Sequence, residues 1–338
     1  YFMVAAASIM MFGCAKNDGV TPALEGKVAL TLNFVSPTSK AEEDAGTEGE
    51  EGVDKIAVGY STFDVKVTGS TPANYAGEGT ALGDGWQQFA AGTTPTVYVE
   101  DPTLVEVRIN GGKNSYAFGD LNGLQSTAAT AMAAYGSTGK FTRESGGTTE
   151  VGGVTYDLYR ADVTLSIPVA RLEVSGIQHV DNGEKCEYSA LSLDNYTVRG
   201  VPSTVTYNAG FAAGTGTENF VEQINVSDFL TTGVTYPTTD GNVYGCYILP
   251  TQAPMLQFVL TGTIDGYITN ENRYATVKTI NGIPYEDFSF EAGKIYRITD
   301  VQISDDDMGS SEDGETAIAL NIHVDVDDWD IVDTTVEF

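Results

Sequence analysis

Apolar and polar residues alternate strictly near the start of the chain. Val28, Leu30, Leu32 and Phe34 share one face, and Lys27, Ala29, Thr31 and Asn33 take the other. A period of two defines a strand with one buried face. The pattern returns near the other end. There Ile318, Leu320, Ile322, Val324 and Val326 share a face opposite Asn321, His323 and Asp325. Trp329 and Ile331 follow out of phase, which predicts a bulge or bend. Between these ends, strand-like runs occupy 53–67, 96–109, 154–177, 242–250, 255–264, 273–280 and 294–304, separated by turn residues. Short strands at that spacing predict a β-sandwich architecture. Pro168 predicts an edge or bulge. The best helix candidate is "NGLQSTAATAMAAY" at 122–135, and "ENFVEQINVSDFL" at 218–230 is a second, shorter one. The glycine-rich "ESGGTTEVGG" places a domain boundary near 145–160.

The first alternating strand ends abruptly. "SPTSKAEEDAGTEGEEG" supplies Pro37, which cannot sit inside a sheet, and a Glu/Gly run that cannot pack. This hinge, 36–52, carries one basic residue, Lys40. A second acidic, Gly/Ser-rich stretch, "DDDMGSSEDGE" at 305–315, precedes the other alternating segment.

Composition narrows the function. The chain has 338 residues, room for two domains of ordinary size, and 41% hydrophobic residues, enough for a substantial core. Its 47 acidic against 17 basic residues give a formal charge of −30, which repels phosphate backbones and argues against nucleic acid as a partner. Residues 1–13 are an apolar run of signal-peptide length, too short to span a bilayer. The run ends at Cys14, with Met11 and Gly13 fitting a bacterial lipobox and Phe12 bulkier than usual there. This reading makes Cys14 a lipidation site and residues 14–26 a tether; the alternative is an ordinary buried cysteine. Cys186 and Cys246 are candidates for a disulfide, which spacing alone does not establish.

Catalytic signatures are missing from the sequence: no Gly-x-Ser-x-Gly, Walker, HExxH or CxxC pattern is present. His179 and His323 read as solvated or paired side chains. Asp305–Asp307 and Asp325, Asp327, Asp328 and Asp330 lack the order of a calcium loop and read as solvated acidic surface. Trp329 reads as a strand anchor, and Trp86 sits in a loop-like context. Neither a cofactor nor a metal is expected, and an enzyme is disfavoured.

The two alternating segments carry similar faces, Val-x-Leu-x-Leu-x-Phe and Ile-x-Leu-x-Ile-x-Val. A groove built for the first is suited to the second. Strand donation between subunits has this logic, with roughly 1.5–3 kcal/mol for each buried aliphatic side chain and a new ladder for the backbone. The first strand would then be a plug, freed by a cut at Lys40. The alternative is that each terminal strand simply pairs within its own domain.

In order along the chain, "MFGCAKND", "ALTLNFVSPTSKA", "VTLSIPVARLEVSGI", "FEAGKIYRITDVQIS" and "IHVDVDDWDIVDTTVEF" resemble the fimbrillins of Bacteroidales, the stalk subunits of type V pili. The resemblance spans nearly the whole chain. It implies a mainly β fold of two transthyretin-like β-sandwich domains in tandem with a few short helices, here 27–160 and 161–338. It implies export as an outer-membrane lipoprotein and removal of the first strand by a trypsin-like surface protease. Lys40 stands where the family has arginine, so a cut there would leave Ala41 first. It implies donor residues within 317–338 (Ile318, Leu320, Ile322, Val324, Val326, Trp329) and identical subunits as head-to-tail partners. Further partners are other fimbrial subunits at base or tip, and host or bacterial surface receptors. Competing readings are an accessory, anchor or tip subunit, and a surface lipoprotein that binds glycans or nutrients.

Overall fold

In the computed structural model, residues 24–35, 56–77, 79–174, 177–180, 187–223, 230–231, 235–236, 244–264, 267–298, 301–310 and 320–333 are described. The chain is mainly β, built from several mixed sheets. Its first thirteen strands are β1 (Lys27–Val35), β2 (Ile56–Tyr60), β3 (Thr62–Thr68), β4 (Asn74–Ala76), β5 (Thr80–Gly83), β6 (Trp86–Ala90), β7 (Thr96–Glu100), β8 (Leu104–Ile109), β9 (Ser115–Ala117), β10 (Ala134–Thr138), β11 (Thr142–Val151), β12 (Val154–Thr164) and β13 (Ala170–Val174).

Two five-stranded sheets order the first half, β11–β12–β1–β7–β4 and β10–β8–β3–β6–β5. Alternation explains both. Val97 and Val99 of β7, Ala161 and Val163 of β12, and Val65, Val105 and Val107 of the second sheet all point into one core. Phe34 of β1 meets Phe63 of β3 edge-on, with ring centroids 4.5 Å apart, so the sheets face each other. Tight turns set the hairpins: Asp84–Gly85, both at positive φ, joins β5 to β6 as the sequence Asp-Gly favours.

The second half holds a five-stranded sheet ordered β2, Val324–Asp333, Lys294–Ile298, β13 and Tyr244–Ile248. An eight-stranded sheet is centred on Ala190–Val201, Met255–Ile264 and Tyr267–Ile280. The halves are joined by hydrogen bonding as well as by the chain, since β2 pairs with Val324–Asp333 and β9 with Thr204–Thr206.

Several expectations change. The candidate helix at 122–135 is helical only at Leu121–Leu124, with single 3-10 turns at Phe118–Asp120 and Ala129–Ala131. Tertiary contacts override the alanine-rich propensity. The Gln125 side chain donates to the Tyr247 carbonyl (2.7 Å) and accepts from its N–H (2.9 Å), as a neighbouring strand would. Met132, Ala133, Ala134 and Tyr135 are buried, and the last two begin β10. Glu218–Gln223, the first part of the second candidate helix, form a strand with Phe220 buried opposite Val198, and residues 224–229 lie outside the described residues. The glycine-rich boundary candidate is the β11–β12 hairpin. Trp86 lies in β6 with the Arg108 guanidinium 4.1 Å from its ring centre.

The acidic clusters are engaged, not merely solvated. The Asp305 side chain is shielded, with one oxygen 2.8 Å from His179 Nε2 and the other accepting from the Tyr188 N–H at 3.1 Å. Asp307 accepts from the Ser304 N–H and hydroxyl at 2.7 and 2.6 Å. Asp327 pairs with Arg297, and Asp328 with Lys294. His323 is exposed, 3.3 Å from Asp325.

Candidate functional site

The first strand is interior to its sheet. β1 runs parallel to β12 from Val28 opposite Asp157 to Val35 opposite Thr164. On its other edge it runs antiparallel to β7, from Lys27 opposite Glu100 to Thr31 opposite Thr96. The Leu32 N–H still reaches the Pro95 carbonyl at 3.4 Å, and beyond that only β12 holds the strand. At that end lies a cleft of about 410 Å³, lined by Leu32, Phe34, Tyr60, Phe63, Thr94 and Arg160 among others.

Val28, Leu30 and Leu32 are 1%, 0% and 1% exposed, and Phe34 is half-buried. Three such side chains contribute about 1.5–3 kcal/mol each. The outer face is also specific. Ala29 is 0% exposed although it points away from this core, and in its row stand Tyr98 of β7 and Leu158 of β12. The Tyr98 and Tyr156 rings, from strands on either side of β1, approach to 4.9 Å and close over it. Farther along, Asn33 Nδ2 donates to Asp162 Oδ1 at 3.0 Å, and Asp162 pairs with Arg160 at the same distance.

The start of β1 is fastened to the β7–β8 turn. The Gly26 N–H donates to Asp101 Oδ1 at 2.6 Å, and the Asp101 N–H donates to the Gly26 carbonyl at 3.0 Å. The Gly26 N–H and the Ser70 hydroxyl hold the Asp101 carboxyl below the usual carboxylate range.

The terminal segment is docked elsewhere. Leu320–Ile322 runs parallel to Tyr267–Ile280, and Val324–Asp333 lies between Lys294–Ile298 and β2. Asn281 clamps the junction. Its N–H donates to the Ile322 carbonyl at 3.0 Å, its Nδ2 donates to the Val324 carbonyl at 2.7 Å, and its Oδ1 accepts from the Val324 N–H at 2.7 Å. Ile322 and Val324 are buried, but Val326, expected on the same buried face, is 47% exposed. Trp329 is 1% exposed, with its ring 6.1 Å from that of Tyr247. The expected bulge before it is not there. Pairing with Lys294–Ile298 is unbroken from Val324 to Asp328, and burial passes from Val324 on one face to Trp329 on the other. The indole N–H of Trp329 meets no partner among the described residues.

The structure therefore groups Val28, Leu30, Leu32 and Phe34 in one sheet, and Ile322, Val324 and Trp329 in another part of the fold. Cys14, Lys40, Ala41, Ile318 and Cys186 lie outside the described residues, and Leu320 is described by its backbone pairing alone. Cys246 is buried. Alternation did not disclose Ala29, Tyr98, Tyr156 or Asn281. The Asn281–Gly282 pair is a turn signature, but its role as a clamp depends on a distant strand. Among the described residues no cluster of His, Cys, Asp or Glu could hold a metal, and no helix is long and apolar enough to cross a membrane.

No protein-family profile matches the chain, and no curated protein matches it. Solved structures are similar along most of its length. One, described as a cell adhesion protein from Bacteroides eggerthii, is 12% identical, with 92% of this chain and 99% of that one covered and a TM-score of 0.49. A cell adhesion protein from Parabacteroides distasonis gives 10% identity, 93% and 99% coverage, and a TM-score of 0.48. A fimbrilin from Porphyromonas gingivalis gives 13%, 91% and 99%, with a TM-score of 0.47.

Proposed function

We propose that this chain is a structural subunit of a cell-surface fimbria that polymerises by strand exchange. In this reading it is exported as a lipoprotein bearing its lipid on Cys14 and is cut after Lys40 by a trypsin-like protease. It then loses β1 and accepts the 317–338 segment of another copy in the vacated slot. The product is a head-to-tail extracellular polymer that supports adhesion and takes other fimbrial subunits at its ends.

One observation carries the reading. β1 is a central strand with three fully buried apolar side chains, yet it joins everything that follows through one segment, 36–55. A single cut there leaves β1 held by noncovalent contacts alone. Its departure bares an apolar floor and two rows of ladder groups, on β7 and β12, which only another strand can satisfy. The names of the similar structures, cell adhesion proteins and a fimbrilin, agree with this reading and are not its ground.

A second reading has its own support. The tail is wedged between β2 and Lys294–Ile298 with Trp329 buried. A subunit whose tail stays there would accept a strand without donating one, and so would end the polymer, as an accessory, anchor or tip subunit at that end.

The test is limited trypsin digestion of the purified protein, with cleavage at Lys40 verified by the Ala41 N-terminus, followed by gel electrophoresis without boiling. Ladders that vanish when residues 317–338 are deleted support the polymerising subunit. Clean loss of residues 1–40 with monomers persisting refutes it. If such monomers capture a synthetic peptide of residues 317–338, the accepting-only reading holds.

A further inference from the structure

Resting on the strand-exchange reading, we propose that the tail of a second copy enters the slot in one register. Residues 318–324 take the places of residues 28–34, and Ala319 seats where Ala29 sits, beneath the Tyr98–Tyr156 pair.

The selecting feature lies on the outer face. Strands β7 and β12 flank β1 and so stand two strand spacings apart, about 9.5 Å. Tyr98 stands opposite Ala29 and Tyr156 one row back, before the Asp157 that faces Val28, yet their rings approach to 4.9 Å across β1, where Ala29 is fully buried. A side chain larger than alanine at that place must push the rings apart, and overpacking of this kind is destabilising. Any replacement strand travelling in the direction of β1 must bring a small residue there and apolar residues at the positions on either side.

The tail "TAIALNIHVDVDD", residues 316–328, meets those conditions once. In the proposed register Ile318 replaces Val28, Leu320 replaces Leu30, Ile322 replaces Leu32 and Val324 replaces Phe34. On the outer face Ala319 replaces Ala29, Asn321 takes the place of Thr31 beside Arg160, and His323 takes the place of Asn33 beside Asp162. A histidine can donate to the Asp162 carboxylate as Asn33 does now.

Sliding the tail by two residues in either direction fails for separate reasons. One way puts Asn321 under the rings and Asp325 beside Asp162, two like charges in adjacent strands. The other way seats Ala317 under the rings acceptably. However, it buries the Thr316 hydroxyl in the place of Val28, and it sets Glu315 opposite Glu100, where Lys27 now stands. A slide of four residues puts His323 under the rings and Asp328 on the apolar floor. Size, polarity and charge therefore agree on a single alignment.

Cysteine pairs read the register directly. Thr31 lies opposite Thr96, so Asn321→Cys with Thr96→Cys should join trypsin-cut copies by disulfides. Ala319→Cys and His323→Cys with Thr96→Cys report the two neighbouring registers. Each pair is made in a chain whose native cysteines are replaced by alanine and whose melting matches the parent. In addition, Ala319→Phe should lower ladder formation by about tenfold or more, and Tyr98→Ala in the accepting copy should restore it. Ala317→Phe should have little effect. Cross-links through 319 or 323, or inhibition by Ala317→Phe in place of Ala319→Phe, overturn the register while leaving strand exchange intact. Absence of ladders from the cut wild-type protein overturns strand exchange itself.

Discussion

Asn281→Gly tests how the tail is held. Asn281 sits at φ 52°, a conformation glycine adopts freely, so the substitution removes the side-chain clamp without adding backbone strain. What is lost is the pair of 2.7 Å hydrogen bonds to the main chain of Val324, a residue 2% exposed. Each orphaned buried group costs about 1–3 kcal/mol. Neighbouring His323 and Asp325 are exposed, so water can reach part of the gap and the lower half of the range applies, about 2–4 kcal/mol in total. In a chain of 338 residues that corresponds to a fall in Tm of roughly 3–6 °C. If the loss is local, detachment of the tail becomes about 30-fold or more frequent. Hydrogen exchange at Val324 reads the opening and a thermal melt reads the stability. If the tail is the donor, as proposed, the less stable monomer should polymerise faster in the trypsin assay, because detachment of the tail would precede donation. Unchanged exchange at Val324 together with a Tm within 1–2 °C of wild type would show that this side chain is not the clamp. A lower Tm with slower polymerisation would contradict the tail as donor.

Leu30→Ala should destabilise the uncut protein by about 2–5 kcal/mol, as full burial between β7 and β12 requires, measured by urea denaturation; a loss under 1 kcal/mol would mean the β1 seat is loosely packed. Gly262→Val should be disruptive, because a Cβ there would stand 2.1 Å from the Tyr188 ring, whose hydroxyl accepts from Arg273 Nε at 2.7 Å; tyrosine fluorescence and a melt would register it. Because its carboxyl is depressed in the fold, Asp101 contributes stability that is present above the ordinary carboxylate pKa and is lost as pH falls through its lower folded value. The protection of the Gly26 and Lys27 amides, taken as intrinsic over observed exchange rate at each pH, should therefore fall on acidification below about pH 4, and Asp101→Asn should abolish that fall.

Alternation alone determined the strands. The period of two at Lys27–Val35, and the apolar runs at 255–264 and 294–304, appear as strands because the side-chain period is a local property of extended backbone. The same local signal fixed which face of β1 is buried. It misled at 122–135, where alanine propensity yielded to the pairing of β10 and to Gln125 capping the Tyr244–Ile248 edge. It misled again at Val326, which shares a face with buried Val324 yet is 47% exposed, because the pattern along a strand does not record where the covering layer ends. Tertiary structure alone decided that β1 lies between β7 and β12, that Tyr98 and Tyr156 meet across it, and that Asn281 grips a strand 43 residues away. Such facts depend on which distant segments become neighbours. A pattern along one strand records the polarity its two faces require, and not which strands will supply them.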